Sequence, residues 1–473
     1  MENRMKKLLI IVLALLTALS LSACKKDGDN DDEQKKESLS SINGVRLSEY
    51  SIVYSDEDLD YSKRAAEYLH TEILARTGLD LPLIEDSTEP ASEYEIVVGE
   101  TSREISSSLD ADTEGLEFAI LSQGNHIALE GDYFIIAAAA YYFIDTYVPE
   151  YDYYASIPEG VYVHEPIVEK ANNFIILIGD GMGVHQTLLH DHLEDVSDYS
   201  DGEDLFYGYL LPYIGSSRTE SLSGTTDSAA GGTALACGVK TYNDYVGKDR
   251  NGEDVESLTE LAFTLGKSTA VMSTENKNGA TPSTFSAHTI SRDNNNEILE
   301  DQLALTKQCG TIIDCGYDYY NARYMGVIER HITDTLGKLD SDEDGFFLMY
   351  EEAHIDKHCH QNDIDDTFLA LIRFNQAIAR FMEYAFYNPD TFILITADHE
   401  TGGLRPDESG ALAYSTEGHS LDDVPIFAYG DGAQLFDGRE VENIQIAHTI
   451  AALMGVDNFG DQTEYASLTK QQG

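Results

Sequence analysis

Three stretches of this chain are apolar without alternation: Phe174–Ile178, Phe346–Tyr350 and Thr391–Thr396. A strand with one wet face alternates, whereas an unbroken apolar strand is covered on both faces, as in a parallel sheet with helices above and below. Between the second and third stretches, Asp366 to Tyr387 carries apolar residues at helical spacing. This alternation predicts an α/β fold over 171–473, a doubly wound, mostly parallel sheet flanked by helices. Such a sheet receives ligands beyond the carboxyl ends of its strands.

Each apolar run passes directly into acids or histidines. The first continues as Gly179-Asp180-Gly181-Met182-Gly183. The second gives Glu351-Glu352-Ala353-His354-Ile355-Asp356-Lys357-His358-Cys359-His360, and the third gives Ala397-Asp398-His399-Glu400. Three such endings in one sheet point to a carboxylate–imidazole metal centre. Carboxylates with histidine suit zinc, and carboxylates alone suit magnesium. Asp356 and His360 are four apart and share a face if their segment is helical. A catalytic zinc keeps about three protein ligands, so a further histidine is needed, and His419 in Thr416-Glu417-Gly418-His419-Ser420 is a candidate. A separate small-residue run, Thr225 to Ala234, places Ser228 at a helix start, where free N–H groups favour an anion. Taken alone, that run is better explained by Asp227 or Ser228 acting only as an N-cap.

Six motifs together resemble the alkaline phosphatase family, in the same order along the chain. They are Gly179-Asp180-Gly-Met-Gly, Asp227-Ser228-Ala-Ala, Ala280-Thr281-Pro282 with Ser291-Arg292, Glu351 through His360, Thr396-Ala-Asp398-His399 and Gly418-His419. The resemblance covers about 171–456. It implies a metal-dependent phosphomonoesterase in which Ser228 is the nucleophile that becomes phosphorylated and Arg292 grips the phosphoryl group. It further implies two zinc ions, one held by Asp356, His360 and His419 and the other by Asp180, Asp398 and His399. A magnesium ion would be held by Asp180, Thr281 and Glu351, with Asp227 and Lys357 just outside the reacting groups. In one respect the chain departs from the pattern: Gly279 lies two residues before Thr281, where some relatives place Asp or His near the third metal. A phosphodiesterase of the same superfamily is the rival within the class. Arg292 favours the monoester, because its planar fork matches two unesterified oxygens. A non-catalytic phosphate- or glycan-binding surface lipoprotein is the rival outside it.

Upstream, residues 1–23 carry Arg4, Lys6 and Lys7 and then an apolar run from Leu8 to Leu19, too short to span a bilayer. With Leu21-Ser22-Ala23-Cys24 this resembles the export signal and lipobox of bacterial lipoproteins, implying a lipid on Cys24 and an extracytoplasmic, membrane-anchored protein. Polar residues 24–40 are expected to form a tether. Residues 41–165 are expected to form a small α/β or α+β domain. Its strands are Ser51–Tyr54 and Tyr94–Val98, with a helix from Tyr61 to Thr77. A hairpin turns at Gly124-Asn125, and a second helix runs from Phe134 to Val148, ended by Pro149. The unit resembles the small domain that precedes the catalytic domain in several carbohydrate-acting bacterial enzymes. Ala155 to Asn172, with Pro158 and Pro166, is expected to be a linker.

The chain holds 30 Lys+Arg against 85 Asp+Glu, a formal charge of −55. That excludes a nucleic-acid surface, for lack of a basic patch. A phosphate ester is still admissible, because three divalent ions with Arg292 and Lys357 outweigh Asp180, Asp227, Glu351, Asp356 and Asp398, and salt screens distant charge. A homodimer is left open. Asp340 to Glu351 spells the EF-hand pattern, but Phe346–Tyr350 reads as a buried strand, so the run reads as a solvated turn. His185, His190 and His192 are expected on a solvated helix face, and His288 and His354 in structural roles. Cys359 is not expected to bind metal, and Cys309 with Cys315 is a weak disulfide candidate.

Overall fold

A computed structural model describes residues 41–55, 60–109, 113–148, 154–189, 205–316 and 326–472. The leader, the tether with Cys24, Pro149, His190 and His192 lie outside the described residues.

The first sheet is built from β1 (Ser51–Tyr54), β2 (Leu83–Glu85), β3 (Glu95–Val98), β4 (Phe118–Gln123), β5 (His126–Glu130) and β6 (Gly160–His164), in the order β2-β1-β3-β5-β4-β6. Strands β1, β2, β3 and β5 run parallel, and β4 pairs antiparallel with β5 across the expected turn, Gln123 opposite His126. Helix α1 (Tyr61–Thr77) stops where Gly78 adopts φ +76° and its N–H caps Leu74. Helix α2 (Ile136–Tyr147) buries Ala139, Ala140, Phe143 and Ile144. One expectation fails here. Residues 160–164 are not linker but the edge strand β6, antiparallel to β4. Val161 and Val163 point to solvent, so the alternation is inverted relative to an ordinary half-buried strand and gives little signal.

The second sheet holds eight strands: β7 (Asn173–Gly179), β8 (Tyr213–Arg218), β9 (Ser268–Ser273), β10 (Ile312–Cys315), β11 (Phe346–Glu352), β12 (Thr391–Thr396), β13 (Val424–Tyr429) and β14 (Glu440–Glu442). Their order is β10-β9-β11-β7-β12-β13-β8-β14, parallel from β10 to β12, with β13 antiparallel to both its neighbours. The three apolar runs are thus the centre of the sheet, and every residue of β7, β11 and β12 is buried. Helix α6 (Ile364–Tyr387), 24 residues long, covers one face. It also receives the first unit: Arg64 pairs with Glu383 at 3.0 Å, Tyr68 stacks on Tyr387 at 4.1 Å, and Phe134 stacks on Phe386 at 6.0 Å. One apolar cluster runs from Ile52 through Phe143 to Phe381, so the two sheets share a core across α6. The EF-hand-like run is a turn leading into β11, with Asp342 accepting from Ser268.

Candidate metal and phosphoryl site

Sheet register brings the site together. Ser273 of β9 lies beside Glu351 of β11, Glu351 beside Ile178 of β7, and Ile178 beside Thr396 of β12. The residues just past this line, Asp180, Asp398 and His399, therefore emerge side by side. Gly181 comes next with φ +74°, and a Cβ there would sit 2.8 Å from the Asp356 backbone, so glycine permits the close approach of the two strand ends. Gly181 N–H donates to Asp398.

Ser228 is the first residue of α3 (Ser228–Cys237), and Asp227 is its N-cap, accepting from Ala230 N–H at 2.9 Å. Asp227 thus fills the N-cap role, and Ser228 stands at the helix start. Cβ atoms on Gly231 or Gly232 would meet Asp398 O at 2.6 Å or Thr284 at 2.7 Å, so the small pair lets α3 press against the end of β12. Ser228 Oγ lies 3.2 Å from His399 Nε2. Arg292 is anchored through its N–H to Asp244 O at 2.8 Å, and its guanidinium stands 3.6 Å from Asp227.

The histidine tautomers are set by their partners. His419 Nδ1 lies 2.7 Å from Thr226 O, and His360 Nδ1 contacts Glu417 O. A carbonyl only accepts, so each Nδ1 carries a hydrogen and each neutral ring turns a lone pair outward at Nε2. Those two Nε2 atoms are 3.2 Å apart, at 3.4 Å and 3.6 Å from Asp356 Oδ1. Thr401 Oγ1 donates to Asp356 at 2.5 Å, so it accepts from His399 Nδ1 at 3.2 Å, and His399 also presents a lone pair at Nε2. That atom lies 3.6 Å from Asp180 Oδ1 and 3.4 Å from Asp398 Oδ2. Imidazole nitrogens and carboxylate oxygens crowd together here, with the Thr401 and Ser228 hydroxyls at their edges, and such a set can hold a divalent cation. Two groups result, Asp356 with His399 and His419, and Asp180 with Asp398 and His399. His360 flanks the first, and His399 belongs to both.

The electrostatics agree. Burial, then Asp398, raises Asp180 well above its ordinary range, and burial, then Asp356, lifts Asp398 to about 7. Burial and then Glu275 lift Glu351 to about 8. Burial, with His419 stacked at 3.7 Å, keeps His399 neutral. The Asp356 contact lifts His360 to about 9. A cation entering here displaces protons from these groups.

Thr281, in α4 (Ala280–Thr284), donates to Asp398 at 3.4 Å. Ser273 Oγ donates to Glu351. Lys357 Nζ is held 2.8 Å from Glu275, a carboxylate outside the expected set, so the positive excess at the site is smaller than the sequence tally implies. Sequence reasoning also missed Thr401, which bridges the two groups. Glu400, too, was given no role. It is buried and accepts from Gln186, Gly403 N–H, Leu404 N–H and Ser420, fastening the His399 and His419 segments together. Nothing in the local pattern marks these residues, because the partners that define their roles, Asp356 for Thr401 and Gln186 and Ser420 for Glu400, lie 45, 214 and 20 residues away.

The remaining candidates lie elsewhere. His185 sits in the short helix Val184–Thr187, His288 contacts Gly247 O and Glu260, and His354 contacts Glu352 and Thr274. Cys359 is buried against Tyr414 and Thr367, and the four described cysteines are free thiols, so Cys309 and Cys315 are not paired.

Fold and site together define the class: a doubly wound α/β protein with a helix-start serine beside two carboxylate–imidazole groups that could each hold a metal ion. The alkaline phosphatase family model matches residues 171–319 and 327–415, half of the chain, and this chain belongs to the alkaline phosphatase family. Alkaline phosphatase 3 of Bacillus subtilis is 29% identical over 301 residues, 53% of this chain and 65% of that protein. The repressible alkaline phosphatase of Saccharomyces cerevisiae is 26% identical over 318 residues, 50% of this chain and 56% of that protein. The chain thus spans less than two thirds of the length of these curated relatives, 65% and 56%. The alkaline phosphatase from the Antarctic bacterium TAB5 shares the fold at TM-score 0.53 and 24% identity, covering 62% of this chain and 100% of that one. A His-to-Asp variant of that enzyme has magnesium bound in its M3 site.

Proposed function

We propose that this chain hydrolyses phosphomonoesters through a phosphoserine on Ser228, outside the cytoplasm and anchored by a lipid on Cys24. The observation that carries the reading is the convergence of His360, His399 and His419 with Asp180, Asp356 and Asp398, His399 Nε2 lying 3.2 Å from Ser228 Oγ. Asp356, His360 and His419 would hold one zinc and Asp180, Asp398 and His399 the second, with magnesium at Asp180, Thr281 and Glu351. When bound, paired metals polarise the attacking and leaving oxygens of an in-line displacement.

The chain supplies the rest. Ser228 Oγ, its proton passing to solvent, attacks phosphorus in line as the bond to the ester oxygen breaks and the alcohol leaves with a proton from water, and the helix N-terminus favours the dianion. Arg292, steadied by Asp227, binds two phosphoryl oxygens in its planar fork. Thr401 holds Asp356 and His399 in register. Water then splits the phosphoserine and returns Ser228, so two displacements give overall retention at phosphorus. A relative with magnesium in its M3 site supports magnesium at the third position. The leader with its cysteine supports export and anchoring, and substitution of Cys24 by Ser should free the protein from the membrane fraction.

Release of p-nitrophenol from p-nitrophenyl phosphate tests the reading, with bis-p-nitrophenyl phosphate as the diester control. Turnover of the monoester well above the diester, abolished by exhaustive chelation and restored by zinc and magnesium, is expected. A preference for the diester would favour the phosphodiesterase reading instead.

A further inference from the structure

Where β7 and β11 end side by side lie two buried carboxylate oxygens, Asp180 Oδ1 and Glu351 Oε1, with no hydrogen-bond donor. Buried anions left in that state are costly unless a cation meets them. Glu275 lies close to these oxygens. Its N–H donates at 2.9 Å to Ser273 Oγ, the same hydroxyl that donates to Glu351, and its carboxylate grips Lys357 at 2.8 Å.

Glu275 also accounts for Gly279. That glycine has an ordinary φ of −57° at the start of α4, so the backbone does not require it. A Cβ there, however, would lie 2.4 Å from Glu275 Oε2 and 2.8 Å from its Cδ. The Glu275 carboxylate occupies the space that a side chain at 279 would fill.

We infer that Glu275 completes the third cation site, delivering from four positions upstream the carboxylate that residue 279 lacks, and that the ligand is a hard, oxygen-preferring divalent ion such as magnesium. The inference rests on the metal–serine reading above and adds a residue to it. Gly279 is then the partner of Glu275, since only a residue without a Cβ leaves that carboxylate its place.

The test measures magnesium binding to the full-length, zinc-loaded protein by equilibrium dialysis and elemental analysis. In Glu275→Gln, magnesium affinity should fall about 10- to 100-fold, while zinc content and melting temperature stay at wild-type values. The double variant Glu275→Ala/Gly279→Asp moves the carboxylate to the other side of the same space and should recover most of the loss. Wild-type magnesium affinity in Glu275→Gln would overturn the inference. So would a double variant that binds magnesium no better than Glu275→Ala. Either result with zinc retained leaves the metal–serine reading standing, whereas wild-type protein that retains no zinc would remove that reading itself.

Discussion

The two sheets are built from the same kind of buried, mostly parallel strand and differ in the residues just beyond each strand. In the first, the carboxyl ends run into turns whose N–H groups close onto neighbouring strands, Ser55 onto Val98 O and Gly99 onto Leu129 O. There, Arg103 is deeply buried between Asp86 at 2.9 Å and Glu95 at 3.2 Å, so those carboxylates have a cation of their own. In the second sheet the carboxyl ends deliver Asp180, Glu351, Asp398 and His399, all buried, with no lysine or arginine in ion-pair contact with them among the described residues. A buried carboxylate beside its own cation is architecture. Buried carboxylates without one, facing imidazole lone pairs, are a place for something to bind. That contrast, more than the strands, separates scaffold from chemistry here.

The contrast breaks first at Ser228. Ser228→Ala should lower kcat for p-nitrophenyl phosphate by about 10³-fold or more and leave melting temperature nearly unchanged. Wild-type turnover in that variant would place the chemistry elsewhere. Phe134→Ala addresses the other region. Phe134 is fully buried between Tyr207 and Phe386, so its truncation should cost about 3–5 kcal/mol of stability while KM at permissive temperature holds. An effect on KM without one on unfolding would show that the first unit contributes to the site.

A smaller effect is expected at Thr401, whose hydroxyl ties Asp356 to His399. Thr401→Val should weaken zinc affinity about 10- to 100-fold, as loss of an outer hydrogen bond commonly does. Unchanged affinity would mean that the hydroxyl is incidental. The smallest change is the pH response of chelated protein. Folding raises Asp398 to about 7 and Glu351 to about 8, above their unfolded values near 4. The stability from holding those protons is complete below about pH 4 and is lost as pH climbs through the folded values. Metal takes the place of the protons, so the melting-temperature gap between loaded and chelated protein should widen as pH rises. A gap independent of pH would contradict the burial-driven shifts.

Legibility in the sequence divides along the same line. The three buried strands, helix α1 with its glycine stop and the hairpin at Gly124 were legible because local pattern dictates each of them. The strand-end acids and histidines were legible because the parallel sheet fixes where such residues must go. The edge strand β6 was not, since its outward valines carry no burial signal. Nor were β8 and its antiparallel partner β13, whose pairing depends on the tertiary arrangement. Thr401, Glu400 and Glu275 act through contacts made with segments 20 to 214 residues away, and nothing in their own neighbourhoods announces it.

The central claim is a spatial one, that oxygens and nitrogens spread from Asp180 to His419 meet around cations beside one hydroxyl. Crystals of metal-loaded protein soaked in vanadate test it most directly. Vanadate bonded to Ser228 Oγ, with Arg292 on two of its oxygens and anomalous density for metal on either side, is the predicted result. Vanadate lodged away from Ser228, or no metal density between Asp356 and Asp398, would contradict it.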